Sequence, residues 1–216
     1  HCQLSISSHP QRLWTKITMR TWIKNPLDVW TGNDADASGG IVVDGEIISA
    51  LIPAGGEPDF PVDLIFDASE CVLLPGLINC HHHFYQTLTR AFPSALNKEL
   101  FDWLVSLYPV WASLTEEAIS TSTELALSEL LLSGCTTAAD HHYVFSDRTA
   151  NAIDLQVQAA GKVGIRVLLT RGSMSLGKDD GGLPPNEVVQ SSDIILKDSE
   201  RLINAYHDDN SGSMVQ

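Results

Sequence analysis

Apolar positions along this chain change period near residue 90. Before that point they come in short β-branched runs, and after it they recur at the i, i+3, i+4 spacing of helices. Thr21-Trp22-Ile23 reads as a strand stopped by Asn25-Pro26. Gly40-Ile41-Val42-Val43 and Glu46-Ile47-Ile48, joined by Asp44-Gly45, form a hairpin signal. Val62 to Phe66 is a further short run. Val72-Leu73-Leu74 is continuously apolar, as a strand buried on both faces would be, and Leu77-Ile78-Asn79 follows after Pro75-Gly76. Residues 100–107 read as a short helix. The next helix has Thr115 as N-cap, Leu114 and Ile119 as a hydrophobic staple, acids in its first turn and Gly134 as its stop. Then come a strand from Cys135 to Ala139 ending in Asp140-His141-His142, a helix over 149–163 and a strand from Ile165 to Thr170 ending at Arg171. A helix over 192–206 and the start of another strand at 214–216 complete the pattern.

Strand and helix alternating three times is the pattern of a parallel sheet, and polar residues stand at each strand's carboxyl end, where (β/α)8 barrels and doubly wound sheets place their sites. Histidines occupy the position that a glycine-rich phosphate loop would take, which favours the barrel. The expected fold is α/β: a small β-rich domain over 19–70, then the amino-terminal portion of a metal-dependent (β/α)8 barrel, its first three units, over 71–216. Residues 1–18 lack domain character and precede the first methionine, Met19; they are expected to be an upstream or non-native extension.

Composition narrows the function. Hydrophobic residues make up 44% and charged residues 19% of 216, enough apolar mass for a core. A net charge of −14 with only 13 basic residues argues against nucleic acid as a partner. No run of about 18 apolar residues marks a membrane span. Four cysteines without a C-x-x-C pair suggest reduced thiols and a cytoplasmic location, with Cys80 and Cys135 expected to be buried small apolar residues.

The densest chemistry is His81-His82-His83. Residues i and i+2 at a strand end point the same way, so His81 and His83 aim together into the barrel mouth and His82 points elsewhere. Two neutral imidazoles are half of a zinc or iron site. Three surface histidines that bind nothing are the alternative, and the apolar strand, the Pro-Gly and the Asn-x-His-x-His context argue against it.

Leu74-Pro75-Gly76-Leu77-Ile78-Asn79 followed by His81-x-His83 resembles the first-strand motif of the amidohydrolase superfamily. It is most similar to the cytosine/guanine deaminase and triazine hydrolase branch. The likeness continues through HHHFYQTLTRAF, LYPVWASLT, LLLSGCTTAADHHYVF and LLTRGSMSLG to GGLPP, over about residues 19–216. It implies one divalent metal, zinc or else iron, held by His81, His83 and two further residues from strands beyond residue 216. It also implies hydrolytic loss of ammonia from an aminated heterocycle, with 8-oxoguanine giving urate as the leading expectation. Guanine, cytosine or a triazine are the alternatives, and a truncated, catalytically incomplete fragment is an alternative of another class. The proton-shuttling residues would lie beyond residue 216. A small-molecule purine or related heterocycle is the implied partner, and the full-length enzyme is expected to be a homo-oligomer.

Gln86 stands three residues after His83, where guanine-type deaminases place a glutamine that contacts the purine; an ordinary loop glutamine is the alternative. Arg171 either holds a ligand oxyanion or pairs with a neighbouring carboxylate. His141 and His142 either line the pocket or are structural, and neither belongs to the implied ligand set. Trp103, Tyr108 and Trp111 form either an aromatic wall or core.

Overall fold

The computed structural model describes residues 19–208 and 213–216. The extension expected at 1–18 lies outside them. The described chain divides into two compact units, one over 19–76 and one over 77–216.

In the first unit, β1 (Arg20–Lys24), β3 (Gly40–Asp44), β4 (Ile47–Ile52) and β5 (Leu64–Asp67) form one sheet in the order β4-β3-β1-β5, while β2 (Asp28–Val29) pairs with β6 (Val72–Leu73). The hairpin turn is Gly45-Glu46, one residue later than the Asp44-Gly45 expected, because Gly45 takes the positive φ of 61° and Asp44 still pairs with Ile47. Trp22, Val42 and Ile52 are the core of this unit. Val72-Leu73-Leu74 departs from expectation. Its first two residues form this unit's two-stranded ladder with β2, Val72 and Leu74 are exposed, and the division falls after Gly76. Continuous apolarity misled here because a two-residue ladder covers neither face.

The second unit begins with β7 (Leu77–Asn79) and continues through α1 (Leu100–Ala112), α2 (Glu116–Leu132), β8 (Cys135–His142), α3 (Ala152–Val163), β9 (Arg166–Arg171) and α4 (Ser192–Tyr206). The three strands are parallel in the order β7-β8-β9, and Val215 forms an isolated parallel bridge with Val167. Helix α1 runs past Pro109 instead of ending at 107. The carbonyl that Pro109 leaves without a helical partner is that of the exposed Val105, where water can bond it. Helix α2 starts as expected, with Thr115 Oγ1 accepting from Ala118 N at 3.2 Å, and Gly134 stops it at φ 85°. Gly164, at φ 83°, stops α3 in the same way.

Two clusters hold this unit together. Phe84, Ala126, Leu127, Ala138, Ala160, Ile165 and Val167 pack the sheet against α2 and α3. Tyr85, Leu107, Tyr108, Trp111, Ile119, Val144, Phe145 and Ile153 fill the space under α1. Trp111 and Tyr108 are therefore core, with Trp103 packed 5.3 Å from Trp111, and the aromatic wall is not formed. Among the described residues no helix is long and apolar enough to cross a membrane.

Candidate active site

The parity of each strand decides which polar residues reach the sheet's open face. On β8, Ala138, Asp140 and His142 are buried beneath the helices while His141 is exposed on the other side. On β9, Val167, Leu169 and Arg171 share the covered face, leaving Leu168 and the Thr170 that pairs with His141 on the open one.

Strand β7 ends at Asn79, whose side chain accepts from His81 N at 3.2 Å and turns the chain. The His81 and His83 rings then stand edge-on, their centroids 5.1 Å apart and their planes at 88°. His82 turns away, its ring 5.1 Å from that of Phe84. Burial lowers the pKa of His82, with Arg90 adding to the effect. Burial likewise lowers the pKa of His83, so its ring is neutral at neutral pH. The Nδ1 of His83 lies 2.7 Å from the His141 carbonyl oxygen. A carbonyl can only accept, so Nδ1 carries the proton and Nε2 keeps a free lone pair. That is the tautomer a metal-ligating histidine uses, its second nitrogen held by a backbone oxygen.

The end of β8 grips this segment at three consecutive residues. His141 N donates to the His82 carbonyl at 2.9 Å, the His141 carbonyl accepts from His83, and Asp140 Oδ1 accepts from Phe84 N at 2.6 Å. Asp140 Oδ2 accepts from Gln156 Nε2 at 2.7 Å. Burial pushes the Asp140 carboxyl up to about 7 despite these donors. No role for Asp140 was evident from the sequence; the signal was an acid on the same parity as buried Ala138. His142 is fully buried, donates from Nε2 to the Val144 carbonyl at 2.8 Å, and burial brings its pKa down to about 4. It is structural. His141 instead lies beside the pair, 5.7 Å from the His83 ring.

Around them, Tyr143 is edge-on to His83 at 5.4 Å and close to Tyr85 at 5.8 Å. Burial raises the pKa of both phenols. Gln86 Nε2 donates to the Tyr85 hydroxyl at 3.3 Å, so this side chain sits with the aromatic group next to the histidines. Gly172 closes the rim: its N–H donates to the His142 carbonyl at 2.7 Å, and a Cβ there would meet His141 Nε2 and Tyr143 Cβ at 2.7 Å each.

Arg171 takes the second of its two readings, and the expectation for Cys80 needs correction. The Arg171 side chain is 5% exposed; its Nε donates to Asp198 at 3.1 Å, Nη2 to Gln190 at 2.6 Å and Nη1 to the Gly172 carbonyl at 2.7 Å. Its Cζ lies 4.2 Å above the Phe145 ring. The neighbouring carboxylate has this guanidinium, and strand parity is the reason. Cys80 is exposed, because it lies beyond the last residue of β7, whereas Cys135 is buried as expected. Among the described residues no three or more of His, Cys, Asp and Glu converge on a metal position.

Residues 72–214 match the model of the amidohydrolase family, and the chain belongs to that family. It is 56% identical over 197 residues to the 8-oxoguanine deaminase of Pseudomonas aeruginosa, covering 91% of this chain and 44% of that enzyme. It is 35% identical to the hydroxydechloroatrazine ethylaminohydrolase of Pseudomonas sp. strain ADP, covering 78% of this chain and 37% of that enzyme. Among solved structures, a triazine hydrolase variant superimposes with a TM-score of 0.81 at 30% identity, covering 92% of this chain and 45% of that one. The atrazine chlorohydrolase of Arthrobacter aurescens TC1 complexed with zinc does so with a TM-score of 0.78 at 29% identity, covering 91% and 45%. The chain thus spans less than half the length of these relatives, and its fold is the amino-terminal portion of a (β/α)8 amidohydrolase.

Proposed function

We propose that the protein to which these residues belong is a metal-dependent hydrolase of a C–N bond in an aminated heterocycle, converting 8-oxoguanine to urate and ammonia. The observation that carries the hydrolase reading is the pair His81 and His83, with the His83 tautomer held by the His141 carbonyl. The identity to an 8-oxoguanine deaminase supports the substrate.

His81 and His83 would hold a divalent metal, zinc before iron because a zinc-complexed relative shares the fold; when bound it would supply Lewis acidity and bring a water's pKa toward neutrality. Overall, the water oxygen forms the new C–O bond at the amine-bearing ring carbon, the bond from that carbon to its exocyclic nitrogen breaks, and the amine leaves as ammonia with a proton from that water. His83 contributes a neutral ring of fixed orientation. Gln86, beside Tyr85, offers an amide that both donates and accepts, as a purine edge requires. Two imidazoles are half of a four-donor site, so the 216 residues alone should bind metal weakly and turn over little. A cytoplasmic location, argued from the cysteine pattern, and a homo-oligomeric state of the full-length protein belong to the same reading.

The test is ammonia release by the full-length protein from 8-oxoguanine, guanine and cytosine in parallel. Preference for 8-oxoguanine is expected, and equal or greater activity on cytosine would overturn the substrate assignment.

A further inference from the structure

We infer that Asp140 is a positioning residue for the proposed metal ligand His83, acting through the main chain of Phe84. Of the three bonds by which the end of β8 holds residues 82–84, two are made by backbone atoms of His141 and only one by a side chain, that of Asp140. Phe84 directly follows His83 and is anchored at both ends. Its ring is fully buried among Ala126, Leu127, Ala138 and Ala160, and its amide is tied to Asp140 at 2.6 Å. With both ends fixed, the His83 backbone can turn little, and its Nδ1–H stays on the His141 carbonyl.

The second carboxylate oxygen is held by Gln156 from α3, so the carboxylate is itself oriented. A buried carboxylate under the helices is costly to retain for packing alone, where an apolar residue of similar volume would serve. Its placement against the amide next to a candidate ligand accounts for it. Gln156 Oε1 has no partner and is buried. This gives a specific rescue: an asparagine at 140 can keep its oxygen on Phe84 N while Gln156 rotates its amide to accept from the new NH2 group.

This inference rests on the metal reading above, and the experiment separates the two. In the full-length protein, ¹⁵N NMR of the metal-free state reports the His83 tautomer, and titration with Zn²⁺ and Co²⁺ reports affinity. Asp140→Ala is expected to release the Nδ1–H tautomer of His83 and to weaken metal binding about 10- to 100-fold. Asp140→Asn is expected to restore both. Gln156→Leu, which keeps the Phe84 bond, should weaken metal binding less than Asp140→Ala, and it carries the test should the alanine variant not fold. A purely structural Asp140 would lower thermal stability in Asp140→Ala with tautomer and affinity unchanged, which would overturn the inference. If His83→Ala keeps full metal affinity, the metal reading fails, while the tautomer measurement still decides the positioning role.

Discussion

His83 lies just beyond β7 and Arg171 ends β9, two parallel strands of the same sheet, yet the structure uses them differently. His83 donates one ring proton to a backbone oxygen and keeps the other nitrogen open. Arg171 gives its donors to Asp198, Gln190 and Gly172 beneath α4. For Arg171 the reason is parity, whereas His83 stands beyond the strand after the Asn79 turn. Arg171 is in step with Val167 and Leu169, whose side chains join the core, whereas the residue in step with the exposed His141 is Thr170. A polar residue at a strand end is a candidate for chemistry only if its parity puts it on the open face.

That contrast can be broken most sharply at His83. In the full-length protein, His83→Ala or His81→Ala should reduce metal content from near one ion per chain to near zero by elemental analysis, while His82→Ala leaves it intact. Loss of metal in the His82 variant would mean that the register beyond β7 is wrong. Arg171→Ala should act on stability, costing about 1–3 kcal/mol in denaturant unfolding, because Gln190 and Asp198 Oδ2 lose a buried donor while Arg201 still holds Asp198 Oδ1. A rise in KM with unchanged stability would instead return Arg171 to the substrate.

His142 offers a third comparison, this time with pH. Its folded pKa of about 4 lies below the unfolded value of 6.5, so the folded state binds fewer protons over that window. The contribution of His142 should be full above pH 6.5 and fall by about 3 kcal/mol as pH drops toward 4, while Asp140, raised to about 7, works in the opposite sense over the same window, so the difference between the parent and His142→Gln isolates the histidine. The metal-free urea midpoint followed against pH measures this, and His142→Gln should gain stability relative to the parent as pH falls from 6.5 toward 4. The smallest effect is expected at Cys80, exposed between Asn79 and His81. Cys80→Ser should change stability by no more than about 0.5 kcal/mol and leave metal content alone; a loss of metal would make the thiol a ligand.

Much of this was legible in the chain because local signals agreed. The Thr115 cap, the stops at Gly134 and Gly164 and the Asn-x-His-x-His run each act within a few residues, so each can be read from its neighbours. What escaped depended on partners distant in sequence. Asp140 acquires its role from Phe84 and Gln156, 56 and 16 residues away. The true location of Val72-Leu73 depends on its pairing with Asp28-Val29. Arg171 was ambiguous because its carboxylate partner lies 27 residues on, although strand parity already favoured the core.

Gly172 has a consequence for exchanging loops in this protein. Any side chain at 172 would collide with His141 and Tyr143, so the loop after β9 and the loop after β8 form one interlocked piece of the rim. Grafting either loop alone from a relative would import a mismatch at that junction. The unit to exchange when altering substrate preference is therefore the pair, residues 141–146 together with 170–176.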